Sequence, residues 1–66
     1  MQKIEAGKTY RHYKGNIYKV ICIAKHSETL EDMIVYQGVD DGKIWVRPKS
    51  MWNDKISENL LRFTLI

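Results

Sequence analysis

At 66 residues, 44% of them hydrophobic and with a net charge of +3, the chain has room for one small core over residues 1–66, and a domain this short buries only about 60% of its unfolded surface. The composition excludes a disordered tail, no apolar run approaches the roughly 20 residues of a membrane span, and Met1-Gln2-Lys3-Ile4-Glu5 lacks the basic start and apolar core of a signal peptide. The single cysteine, Cys22, forms no internal disulfide. Inside an apolar run it reads as a small buried thiol, so a cytoplasmic location is expected.

In chain order, strands are expected over Thr9 to Tyr13, Ile17 to Ala24, Met33 to Val39, Lys43 to Pro48 and Leu60 to Ile66. Five short strands at such spacing predict a mainly β fold, a small antiparallel barrel or sandwich. Lys14-Gly15-Asn16 and Asp40-Asp41-Gly42 supply the tight turns, since glycine and asparagine tolerate positive φ. Alternation places Tyr18, Val20, Cys22 and Ala24 on one face of the second strand. Ile17, Lys19, Ile21 and Ile23 lie on the other, so this strand is expected to be central or covered.

In the fourth strand, Ile44, Val46 and Pro48 share one face, and Trp45 and Arg47 the other. An indole beside a guanidinium offers a stacking surface and a forked anion donor, against the plainer reading of a core tryptophan with a snorkelling arginine. The segment from Lys49 to Asn59 lacks strand alternation. A short helical turn is expected there, capped by Ser50, with Met51 and Trp52 plugging the open end, and then a mobile loop. Lys3, Lys8, Lys43, Lys49 and Lys55 read as solubilising charges.

Two polar runs flank the second strand: Tyr10-Arg11-His12-Tyr13-Lys14 before it and Lys25-His26-Ser27-Glu28-Thr29-Leu30-Glu31 after it. The latter packs donors, acceptors and a group titrating near neutrality into a connection that needs none of them for turning, and so reads as a recognition loop. The competing reading is a loop whose polar groups satisfy one another. Barrel curvature would bring Arg11, His26 and Arg47 toward a common opening. His26, Ser27 and Glu28 are chain neighbours and point apart, which argues against a hydrolase triad, and His12, His26 and Cys22 lack metal-ligand spacing. No catalytic residue, metal or cofactor is expected.

The runs Gly7 to Tyr18 and Ala24 to Glu31, with Val35-Tyr36, Trp45-Val46-Arg47-Pro48 and Met51, resemble the domain of unknown function 1653 family of small bacterial and phage proteins. The resemblance spans Gly7 to about Phe63. It implies a compact SH3-like barrel of about five strands and imports no activity. Lys25 stands where that pattern has arginine, losing the planar fork, and Trp52 where it more often has phenylalanine, which suits packing.

The expected function is a non-enzymatic binding domain for a small anionic or nucleotide-like ligand, with Tyr10, Arg11, His12, His26, Ser27, Glu28, Thr29, Tyr36, Trp45 and Arg47 as candidate contacts. The alternative is an RNA-, DNA- or protein-interaction module, and a small hydrolase stands third. No membrane partner is expected. A homodimer is compatible with a second strand that is apolar on both faces.

Overall fold

Gly15 at φ 101° and Gly42 at φ 71° occupy the left-handed region that costs glycine little, and each reverses the chain between two strands. The structure is a computed structural model that describes residues 4–53, 55–57 and 60–66. Its strands are β1 (Thr9–His12), β2 (Ile17–Lys25), β3 (Asp32–Gly38), β4 (Ile44–Pro48), β5 (Lys55–Ser57), β6 (Leu60–Leu61) and β7 (Phe63–Leu65), with a 3₁₀ turn at Lys49–Met51 after β4. Met1, Gln2 and Lys3, which carry most of the N-terminal reading, lie outside the described residues. So do Asp54, Glu58 and Asn59 of the expected loop.

The fold is mainly β, as expected, with one antiparallel five-stranded sheet in the order β4-β3-β2-β1-β7. Among the described residues β4 and β7 form its two edges, so the sheet curls without hydrogen-bonded closure. Part of the segment read as a loop is strand: β5 pairs with β6 in a separate two-stranded ladder. The expected last strand is therefore split, with β6 in that ladder and β7 on β1.

One irregularity in β2 redirects half of that strand. Val20 faces Tyr36 across the sheet, and the next pair is Cys22 with Val35, so Ile21 is an extra residue in a β-bulge. Beyond it the alternation inverts: Ile23 joins the inner face opposite Ile34, while Cys22 and Ala24 turn outward. The expectation of a buried Cys22 is thereby corrected. The thiol is exposed because the bulge shifts its side by one residue.

The core lies on the inner face and is mostly aromatic: Ile4, Tyr10, Val20, Ile34, Tyr36, Trp52 and Phe63 are buried. Full burial of one such side chain contributes about 1.5–3 kcal/mol. Trp52 follows the 3₁₀ turn and stacks on Phe63 at 3.9 Å and 6°. Its edge-to-face contacts are to Tyr10 at 5.4 Å and Tyr36 at 5.0 Å, geometries favoured by ring quadrupoles. Its side chain is fully buried among these rings. Ser50 does not cap the turn: Pro48 precedes it without a side-chain cap, and Met51 is exposed.

Candidate functional site

The β1–β7 register sets His12 directly opposite Phe63, and the Gly15 turn holds the imidazole there. His12 N–H donates to the Asn16 carbonyl at 2.8 Å, and Gly15 N–H donates to the His12 carbonyl at 2.7 Å. Lys14 N–H then donates to His12 Nδ1 at 3.2 Å, which in the neutral ring leaves the proton on Nε2. The ring meets Phe63 edge-on at 5.0 Å, Tyr18 at 6.2 Å and the exposed Tyr13 at 4.6 Å.

From the opposite edge of the sheet, Arg47 lays its guanidinium 5.5 Å from the centre of the Phe63 ring. Arg62 immediately precedes Phe63, and its carbonyl accepts from Tyr13 N–H at 2.9 Å. Burial holds the His12 pKa below its ordinary 6.5, and the positive charges of Arg62, Arg47 and Lys14 depress it further. The charges of these three cations thus act on one imidazole. Neither arginine has an ion-pair partner among the described residues, and the Nε of Arg47, the Nε of Arg62 and the indole Nε1 of Trp52 are buried without a hydrogen-bond acceptor.

The connection between β2 and β3 has the opposite character. His26 Nδ1 accepts from Glu28 N–H at 3.1 Å and from Thr29 N–H at 3.3 Å. His26 N–H donates to the Glu31 carbonyl at 2.9 Å, and Leu30 N–H to the His26 carbonyl at 2.8 Å. The Thr29 hydroxyl accepts from Glu31 N–H at 3.3 Å and donates to its carboxylate at 3.5 Å. Lys25 pairs with Asp32 at 2.6 Å, and that hydrogen bond with its charge holds the Asp32 carboxyl below the usual range. Beside this loop a cleft of about 400 Å³ is lined by Glu31, Asp32, Lys49, Ser50 and Asn53, a lining of mixed charge.

The residues singled out from the sequence thus separate. His12 and Arg47 meet around Phe63. Tyr10 and Tyr36 are core residues, with the Tyr10 hydroxyl accepting from Glu5 N–H at 3.3 Å. Arg11 pairs with Ile17 and Thr64 on the outer face, away from His12. His26, Ser27, Glu28 and Thr29 belong to the self-bonded loop, and Trp45 sits on the edge strand opposite Tyr36, 46% exposed. Sequence reasoning missed Arg62, which falls inside the expected strand Leu60 to Ile66 and was not singled out. Its signal was a cation next to the final aromatic residue of an otherwise apolar run.

The sequence profile of the family described as protein of unknown function (DUF1653) matches residues 8–64. Among curated proteins nothing matches the chain. A crystal structure of a DUF1653 protein from Bordetella bronchiseptica is similar with a TM-score of 0.82 and 29% identity, over 100% of this chain and 91% of that one. Profile and fold agree over nearly the whole length, and the chain belongs to the DUF1653 family.

Proposed function

We propose that the chain is a binding domain for a small oxyanion, a phosphate- or carboxylate-bearing molecule held by Arg47 and Arg62 beside His12. One observation carries this reading: two guanidinium Nε donors, both buried and both without an acceptor among the described residues, whose charges bear on the same imidazole. A buried donor left unpaired costs about 1–3 kcal/mol, and more when it is charged. An anion offers acceptors to both arginines at once through charge-assisted, often bidentate bonds, and offsets positive charge that no described carboxylate answers. His12 Nε2–H adds a third donor. The exposed ring of Tyr13, tilted beside His12 at 4.6 Å, supplies a face for a flat group such as a base. The His26 loop is left out of this reading, because His26 Nδ1 and the Thr29 hydroxyl are already engaged by groups of the loop itself.

Titration of the folded chain with phosphate, pyrophosphate and nucleotides, followed by the Nε–H signals of Arg47 and Arg62, tests the proposal. Saturable shifts in both are expected, with a rise in the His12 pKa, and Arg62→Gln should weaken binding roughly ten- to a hundred-fold, the worth of a charged hydrogen bond. If none of these anions moves either signal, the reading fails. Binding only to oligonucleotides, with a steep fall as salt rises, would instead favour the nucleic-acid module.

A further inference from the structure

The edge strand β4 has Arg47 and Pro48 at one end and Lys43 just before it, but its apolar stretch lies open. Natural edges carry lysine, bulges or covering segments that deter pairing with another chain. Here Ile44, Trp45 and Val46 follow one another at 61%, 46% and 60% exposure, and the pairing with β3 runs without a bulge. Gly38 N–H donates to the Lys43 carbonyl at 2.9 Å, which fixes the phase of the ladder: Lys43, Trp45 and Arg47 turn their backbone groups toward β3. Ile44 and Val46 therefore direct N–H and C=O away from the sheet, and Pro48 directs its C=O.

We propose that β4 pairs antiparallel with β4 of a second copy of this chain, about a two-fold axis at Val46. The strand is self-complementary in that register. Val46 exchanges both backbone bonds with its own copy, and Ile44 N–H reaches the partner's Pro48 carbonyl, so the missing proline N–H leaves only the Ile44 carbonyl without a bond. On the outer face Val46 meets Val46 and Ile44 meets Pro48. On the inner face Trp45 of each copy lies opposite Arg47 of the other, a ring against a cation at the closer type of cross-strand spacing.

Charge selects this register over its neighbour. Centring the axis on Trp45 would set Lys43 against Arg47, like charges directly opposed within the strand. Centring it on Val46 sets Lys43 against Lys49, but Lys49 opens the 3₁₀ turn and leaves the line of the strand. A contact in which the same five residues, Ile44–Pro48, serve both sides is isologous and closes as a dimer. It also adds buried apolar area to a chain near the lower size limit.

Sedimentation velocity from low micromolar to millimolar chain is the test, with Val46→Pro as the disrupting variant. The lost N–H points away from β3, so an edge proline leaves the internal ladder intact. The wild-type chain should pass from monomer to dimer, and the variant should raise the dissociation constant at least about tenfold, the worth of losing one or two hydrogen bonds, while keeping its far-ultraviolet circular dichroism. Trp45→Lys, which opposes like charges across the axis, should do the same and serves if Val46→Pro misfolds. Amide exchange at Ile44 and Val46 should slow only in the dimer. A chain that stays monomeric throughout overturns the proposal, as does a dimer that survives both variants.

Discussion

The loop from His26 to Glu31 and the end of the sheet around Phe63 both concentrate polar side chains, and they use them in opposite ways. In the loop each imidazole, hydroxyl and amide described above has a neighbour a few residues away. Around Phe63, donors from β4 and from the residues flanking β7 are buried without acceptors among the described residues, and the described charges bearing on His12 are all positive. On the proposed assignment, density of polar residues along a chain is a poor guide to a site, because short-range partners absorb it. A deficit of one sign, assembled from distant segments, is the better guide.

The largest expected effect falls on the aromatic stack that Arg47 contacts. Trp52→Ala empties the space stacked against Phe63 and should cost about 3–5 kcal/mol, the usual range for a buried large aromatic. That approaches the whole stability of a domain this small. Loss of cooperative unfolding in urea would be the readout, and a chain still folded in water with an unchanged midpoint would deny the stack its structural role. Trp52→Phe should be far milder, since it keeps the ring and removes the indole N–H that has no acceptor.

Removing one guanidinium should separate binding from folding. Arg47→Met keeps the length of the side chain and loses the contact over Phe63, worth about 0.5–1 kcal/mol, while the unpaired Nε disappears with it, so unfolding without anion should change little. The His12 pKa should rise toward its ordinary value in Arg47→Met and further in Arg62→Met, because Arg62 is the stronger of the two charges acting on it. The same depression fixes the sign of a pH effect. Folded His12 has a lower pKa than the unfolded 6.5, so between the two the unfolded chain binds more protons. His12's contribution is fully present above about 6.5 and is lost as pH falls through the folded pKa. Thermal midpoints should fall over that window in the wild type and less in His12→Gln, and saturating phosphate should flatten the slope by favouring the protonated ring. A steeper slope in His12→Gln would contradict this assignment.

Much of the fold was legible because its signals are local. Gly15 and Gly42 marked two turns, alternation in β4 gave its two faces, and Trp52 announced itself as packing by standing in a segment without strand period. The bulge at Ile21 was not legible: an unbroken apolar run gives no mark where one residue is skipped, so Cys22 was assigned to the wrong face. The proposed site was half legible. His12 and Arg47 stood out by type, whereas Arg62 acquires meaning only when β7 lies against β1 and places its neighbour Phe63 opposite His12. The order of β7 beside β1, two strands distant from the end of β3, is a long-range fact that no window of sequence contains.

The smallest effect should come from the loop that the sequence made most conspicuous. His26→Ala deletes the Nδ1 acceptor for two amides, Glu28 and Thr29, but both lie on exposed residues and regain water when freed. The cost should therefore stay near 1 kcal/mol, the net worth of ordinary hydrogen bonds, with faster exchange at those amides and no change in anion affinity. His26→Asn, whose side-chain oxygen can accept from the same region, should recover part of the loss. Leu30 gives the loop a second handle, since it holds φ 63° at 68% exposure. Leu30→Gly removes the steric cost of that conformation, about 1 kcal/mol for a residue with a Cβ, without emptying any core space. A clear loss of anion binding in His26→Ala with the fold intact would reverse the contrast between the two regions, returning the loop to the site and making the bare arginines a packing feature.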